Sequence, residues 1–187
     1  RTLTAQVTFY FEPCLARRED TEAHLSFSRL FLSAHKDAVA QALFITRRRR
    51  KGEAPICLAV GLLDGGEFSY EASREALITR PEGIASILKA ADQPFSSRGN
   101  GVPDGAVALR VKVELPPHTQ RAVTLVLATA PTEAEASNRL IELRREGQLS
   151  AQTAAQSPFG GVEAQLAAQI LPDLFYPPRI SREWVQA

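Results

Sequence analysis

The chain has 187 residues, 44% of them hydrophobic and 23% charged, which allows one sizeable core and matches the ordinary charge of a globular domain. Twenty-two basic residues against twenty-one acidic ones leave a formal charge of +1, so no global field draws the chain to nucleic acid or to an anionic membrane. The longest apolar run, ICLAVGLL at 56–63, is far too short to span a bilayer, and neither end shows a secretion or lipidation pattern.

Residues 2–16, TLTAQVTFYFEPCLA, read as a strand, with Gln6, Thr8 and Tyr10 on one face and Val7, Phe9 and Phe11 on the other. Pro13 ends it at an edge or bulge. RREDTEAH follows as a polar connection. Leu25, Phe27, Leu30, Phe31 and Leu32 then suit a short helix or compact turn better than a strand. VAQALFITRRR is again a strand, with Ala42, Phe44 and Thr46 facing one way, and PICLAVGLL is a nearly continuous buried strand. DGG at 64–66 reads as a hairpin turn into EFSYEA.

Residues 81–105 hold Gly, Pro and Ser in quantity and read as a long surface excursion, the kind of loop that carries function. Residues 106–130 read as two alternating strands joined by a PPHTQ hairpin. Thr132, with Glu135 three residues on, is a capping signature for a helix carrying Leu140, Ile141 and Leu143. GVEAQLAAQILPDLFYPP is expected to be a second amphipathic helix, its stripe formed by Leu166, Ile170, Leu171, Leu174 and Phe175. Strands first and helices last predict a mostly β fold, an antiparallel sandwich leading into a helical segment.

Few residues are marked for chemistry. Cys14 and Cys57 match no zinc or redox spacing and sit in apolar runs, so two buried free thiols in a reducing, cytoplasmic compartment are expected. His24, His35 and His118 share no metal-ligand spacing. RRRRK at 47–51 could be a nucleic-acid patch. Equally, its alternate arginines could point to opposite faces of a strand end, one set solvated and the other paired with carboxylates. SSRGNG at 96–101 follows no strand and is a weak phosphate cradle. Glu12, Glu71 and Glu75 could supply a carboxylate pair for glycoside chemistry, or could be surface residues. The chain begins at Arg1 and contains no methionine. An internal piece of a longer polypeptide, or a sequence whose modified methionines have been left out, would read this way.

Several of these stretches, in order, resemble one family. FYFEPCLARREDTEAHLSFSRLFLSA is similar to its strand ending in Glu-Pro or Glu-Val, followed by His-x-x-Phe-Ser-Lys/Arg-Leu-Phe. ITRRRR resembles the Arg-Arg-Pro-Arg strand, and YEASREALITR the Glu-Thr-Asp/Ser-Arg-Glu-x-Phe-Ile/Leu-Gly-Arg segment. VPDGAVALRVKVELPP resembles the Leu-Asp-Pro-x-x-x-Leu-Arg strand, and LVLATAPTEAEA the strand and helix start after it. The family is that of the inverting disaccharide and oligosaccharide phosphorylases, formerly glycosyltransferase family 36. It includes the cellobiose, chitobiose, laminaribiose and β-1,2-oligoglucan phosphorylases and the phosphorylase-like part of cyclic β-1,2-glucan synthases. The resemblance runs collinearly through residues 5–145, and the tail LAAQILPDLFYPPR is similar to the family's helical linker.

The resemblance implies a galactose-mutarotase-like antiparallel β-supersandwich over residues 1–147 and a helical linker over 148–187, leading to an (α/α)6 barrel outside this chain. It implies no cofactor. In the family, inorganic phosphate is the co-substrate, and the barrel carries the general-acid Asp and the phosphate site, so no catalytic residue is expected here. It also implies a homodimer, and a β-linked gluco-oligosaccharide as substrate. Arg74 matches the arginine that holds the acceptor sugar from the sandwich side, with Glu71 and Arg80 as neighbours at that site. A guanidinium suits the role, since its fork of donors can hold two hydroxyls at once. Otherwise Arg74 pairs with Glu71 or Glu75 to fix a loop. Thr79 and Arg80 depart from the family's Gly-Arg, Asp104 is not followed by Pro, and RRRR lacks its Pro, which bears on loop shape near the sugar. FYFEPCLA and the tail lean toward the β-1,2-glucan branch. The competing expectation is a carbohydrate-binding or assembly sandwich without catalysis.

Overall fold

The computed structural model describes residues 1–24, 31–48, 52–78, 83, 85–89, 94–97 and 106–156. Its strands form two antiparallel sheets. In the first, β1 (Leu3–Phe11), β6 (Val107–Leu115) and β5 (Ser69–Glu71) lie in the order β1-β6-β5. In the second, β2 (Leu32–Asp37), β3 (Ala42–Arg47), β4 (Cys57–Leu62) and β7 (Leu125–Ala130) lie in the order β2-β3-β4-β7. The helices are α1 (Arg18–Ala23), α2 (Arg74–Leu77), α3 (Ser86–Lys89) and the long α4 (Glu133–Gln156).

Alternation decides what each face buries. Leu43, Ile45, Leu58, Val60 and Leu62 of the second sheet meet Tyr70, Val107, Leu109, Val111 and Val113 of the first, with Val7, Phe9 and Phe11 against them. Each large side chain removed from water there contributes about 1.5–3 kcal/mol. The outer face of the second sheet carries small residues, Ala42, Ala59, Ala128 and Ala130, which let α4 settle closely through Ala136, Leu140 and Leu143. The outer face of the first sheet is covered by the segment after β5, where Leu77 and Ile87 pack on Ala106 and Ala108.

The alternation in β1 and β3 and the all-buried β4 match expectation. Three local readings are corrected. Leu32–Asp37 is a strand, because all six residues pair with β3 and put Leu32 and Ala34 into the core. DGG does form a turn, with Gly65 at φ 70° and its N–H donating to the Leu62 carbonyl at 3.1 Å. It is not a hairpin, because β4 already pairs with β3 and β7, so the chain crosses to the other sheet. The PPHTQ connection crosses for the same reason, since β6 is flanked by β1 and β5. The polar stretch before β2 also includes the short helix α1. Arg80, residues 25–30 of the expected short helix or turn, the loop 98–101 and the helix expected within 161–178 lie outside the described residues.

α4 starts where the capping signature places it: the Glu135 N–H donates to Thr132 Oγ1 at 3.2 Å and the Ala136 N–H to the Thr132 carbonyl at 2.9 Å. Arg144, one turn beyond Leu140, ties the helix to the sheet. Its Nε donates to the Leu62 carbonyl at 2.8 Å, Nη1 to Ala40 at 2.8 Å and Nη2 to Gln41 at 2.7 Å. It thereby caps the end of β4 and the β2–β3 turn, where Gln41 sits at φ 47°. Gly61 makes this possible, because a Cβ there would fall on the guanidinium. Burial holds the Arg144 pKa below the ordinary arginine value. Arg144→Ala is expected to cost about 2 kcal/mol, the scale of hydrogen bonds from a charged donor. Gly61→Ala should cost a similar amount by expelling the guanidinium. The double mutant should lose clearly less than the sum in urea denaturation, and strict additivity would show that the two do not share this contact.

Candidate functional site

The C-terminal end of β1 and the turn after β5 meet at one end of the first sheet. In register, Tyr10, Ala108 and Glu71 form a row across β1, β6 and β5. Ser73, in extended conformation, caps α2 by accepting from the Ala76 N–H at 3.3 Å, and Leu77, 3% exposed, anchors the turn below. This fixes where Arg74 starts. Its Nη1 donates to Glu12 Oε1 at 2.6 Å, and the Tyr10 hydroxyl donates to the same oxygen at 2.7 Å. The Arg74 and Glu12 side chains are 39% and 28% exposed, so the pair stands at the surface.

Glu71 shapes the turn itself. Its Oε1 accepts from the Ala72 and Ser73 N–H groups at 3.0 and 3.1 Å, and its Oε2 accepts from Ser96 Oγ at 2.6 Å. Glu75 is exposed on α2. The structure therefore brings Arg74 and Glu71 into one turn and adds Glu12 as the carboxylate that takes Arg74. That pairing spans 62 residues and runs through the β1–β6–β5 register, so no local pattern announces it. Both carboxylates serve as acceptors that hold neighbouring groups in place. What the cluster offers a ligand is a braced, partly exposed guanidinium beside a phenol, suited to neutral hydroxyls.

A second arginine lies under the covering segment. Arg110, 4% exposed, donates from Nε to Thr8 Oγ1 at 3.1 Å and from Nη2 to the Ile87 carbonyl at 2.6 Å, with its guanidinium 4.0 Å from the Phe95 ring centroid. The Phe95 and Ser97 N–H groups bond to Ser69 Oγ and the Tyr70 carbonyl, so 94–97 runs along β5. Burial lowers the Arg110 pKa. This arginine holds the cover in place rather than meeting solvent.

The remaining candidates resolve as follows. Arg47 turns inward to Glu53 at 3.1 Å, whereas Arg48 is exposed with its guanidinium 5.4 Å from the Phe31 ring, so the first two arginines of RRRRK point apart, and the other three residues of the run lie outside the described residues. His35 faces Glu133 at 3.5 Å and stacks on Phe44, and His24 and His118 are exposed. Among the described residues no group of three His, Cys, Asp or Glu could hold a metal ion, and no helix is long and apolar enough to cross a membrane. Both cysteines are free, but Cys14 is only half-buried, because its Sγ lies at the surface turn beside Thr21 Oγ1 at 2.9 Å. Cys57 is buried, and desolvation, with the Glu133 carboxylate adding to it, pushes its thiol up to about 12.

Set against known families, residues 1–146 match the glycosyl hydrolase 94 supersandwich domain. The chain belongs to that family. The match takes in every described strand and ends inside α4, so the two-sheet architecture and the Glu12–Arg74 contact both lie within the supersandwich. A search of curated proteins returns no match. Within the supersandwich, the phosphorylase segments read from the sequence occupy β1, β3, β5 with α2, β6, and β7 with α4.

Glu12→Gln should cost about 1 kcal/mol or less, because the pair is surface-exposed. Arg110→Ala should cost about 2–3 kcal/mol and expose 86–89 and 94–97 to protease, because it strips a charged donor from beneath the cover. Equal melting-temperature losses for the two would contradict this assignment. At pH 8 a disulfide reagent should label Cys14 in the folded chain and Cys57, which is buried with its thiol pushed up to about 12, only after denaturation.

Proposed function

We propose that this chain is the supersandwich of a carbohydrate phosphorylase acting on β-linked glucosides, with β-1,2-linked gluco-oligosaccharide as the favoured substrate. The family match over residues 1–146 carries the reading. In the reaction, inorganic phosphate attacks the anomeric carbon and an acid protonates the departing glycosidic oxygen, which yields a sugar 1-phosphate of inverted configuration. An (α/α)6 barrel, in the same polypeptide or encoded separately, supplies that acid and the phosphate site. The sandwich supplies Arg74 as the acceptor-sugar contact, with Glu71 holding its turn and Arg80 nearby in sequence. The exposure of Arg74 and its brace on Glu12 support this role: the carboxylate aims the guanidinium without burying it. The preference for a β-1,2 linkage rests on the FYFEPCLA segment.

The test is phosphate-dependent formation of sugar 1-phosphate from sophorose, laminaribiose and cellobiose, assayed with this chain alone and with the barrel-bearing protein. Activity is expected only with the barrel, and highest on sophorose. Sugar 1-phosphate from this chain alone would overturn the division of labour, while oligosaccharide binding with no turnover in either form would favour a binding sandwich. In the active protein, Arg74→Ala removes a charged donor worth about 1.5–3 kcal/mol. That predicts an acceptor KM in reverse synthesis raised about ten- to a hundredfold, with the sugar 1-phosphate KM little changed. Equal effects on both substrates would remove Arg74 from the site.

A further inference from the structure

Glu12, the carboxylate that takes Arg74, stands just past the end of β1. The register with β6 closes at Phe11, opposite Val107, and Pro13 on the other side is buried. These contacts hold the chain around Glu12 but do not decide where its carboxylate points. Tyr10 does so from a rigid base. Its backbone is paired with Ala108 in the ladder, and its ring packs on the apolar cluster of Leu77, Ile87, Ala106 and Ala108. From there its hydroxyl donates to Glu12 Oε1 at 2.7 Å, the same oxygen that accepts from Arg74 Nη1 at 2.6 Å. One carboxylate oxygen can accept both donors, and an O–H given to a carboxylate is among the stronger hydrogen bonds. Leu77, buried in that same cluster, belongs to α2, whose first residue is Arg74. A single apolar cluster therefore fixes the guanidinium at both ends, through Leu77 at its root and through Tyr10 and Glu12 at its tip.

We infer that Tyr10 is a positioning residue for the acceptor sugar, which acts through Glu12 to hold the Arg74 guanidinium where an arriving hydroxyl meets it. This rests on the reading of Arg74 as the acceptor contact. The phenol itself need not touch the sugar. What it supplies is order in the arginine side chain before the sugar arrives, which lowers the entropy cost of the contact.

Tyr10→Phe keeps the ring in its cluster and deletes only the donor, so circular dichroism should match the unaltered chain. The Arg74 Nε–H resonance, assigned by its loss in Arg74→Ala, should show a clearly lower heteronuclear NOE in Tyr10→Phe. Arg144 Nε–H, on a guanidinium tied to three backbone carbonyls, is the internal reference and should not change. In the active protein, Tyr10→Phe should raise the acceptor KM in reverse synthesis about three- to tenfold, the scale of one hydrogen bond felt at one remove. The sugar 1-phosphate KM should stay as it was. On an Arg74→Ala background the same change should add nothing, because no guanidinium is left to aim. An unchanged Arg74 NOE would overturn the positioning role. So would a Tyr10→Phe penalty that persists at full size without Arg74, since the phenol would then be a sugar contact in its own right. If Arg74→Ala raises the acceptor KM selectively and Tyr10→Phe does not, the positioning role falls while the Arg74 contact stands. Equal effects of Arg74→Ala on both substrates would remove the contact itself, and the role of Tyr10 with it.

Discussion

A β-strand has only two hydrogen-bonding edges, and β4 and β6 each use both. The rest of the architecture follows from that constraint. With β3 and β7 on its flanks, β4 cannot take the strand that follows it, so the chain leaves the second sheet at Gly65 and enters the first as β5. With β1 and β5 on its flanks, β6 cannot take β7, so the chain crosses back. Two such crossings put the two sheets face to face, and the core forms where Leu43, Ile45 and Val60 meet Val107 and Leu109. The outer face of each sheet still needs cover, which α4 provides on one side and the segment after β5 on the other.

This explains which parts of the sequence could be read directly. Alternation is a local signal, so the faces of β1 and the inward set of β3 were legible, as was β4, whose unbroken apolar run reflects burial on both faces. Thr132 and Glu135 marked the start of α4 because capping involves residues only three apart. Turn residues were legible as turns but not as crossings. Gly65 reports a left-handed backbone position, and nothing in DGG says that both edges of β4 are taken. β2 was misread because Phe31 and Leu32, adjacent and apolar, blur the alternation that Ser33, Ala34 and His35 then follow.

The arginines make the same point at the level of single side chains. Arg47, Arg74, Arg110 and Arg144 look alike in a charge count, yet their environments assign them different work. Arg110 is buried and Arg144 partly so; Arg144 donates to the Leu62, Ala40 and Gln41 carbonyls and Arg110 to that of Ile87, and their lowered pKa values record the desolvation. Arg47 ends β3 against Glu53. The near-zero net charge reflects only the nearly equal totals of basic and acidic residues, and it does not distinguish an arginine held by a carboxylate from one held by carbonyl oxygens.

Arg74 differs from the buried arginines in one respect that matters for a site. A guanidinium that spans backbone carbonyls in a core has no access to a ligand, and moving it would unmake the fold. Arg74 is fixed at its root by the Ser73 cap and Leu77 and at its tip by Glu12, while more than a third of its side chain meets solvent. Ordering the side chain in advance removes part of the entropy cost of forming a hydrogen bond to an arriving hydroxyl. The brace comes from β1 and the root from β5 and α2, so the aim of the guanidinium depends on β6 holding both strands in register. A sugar contact placed there would depend on the same strand pairing that organises the sandwich.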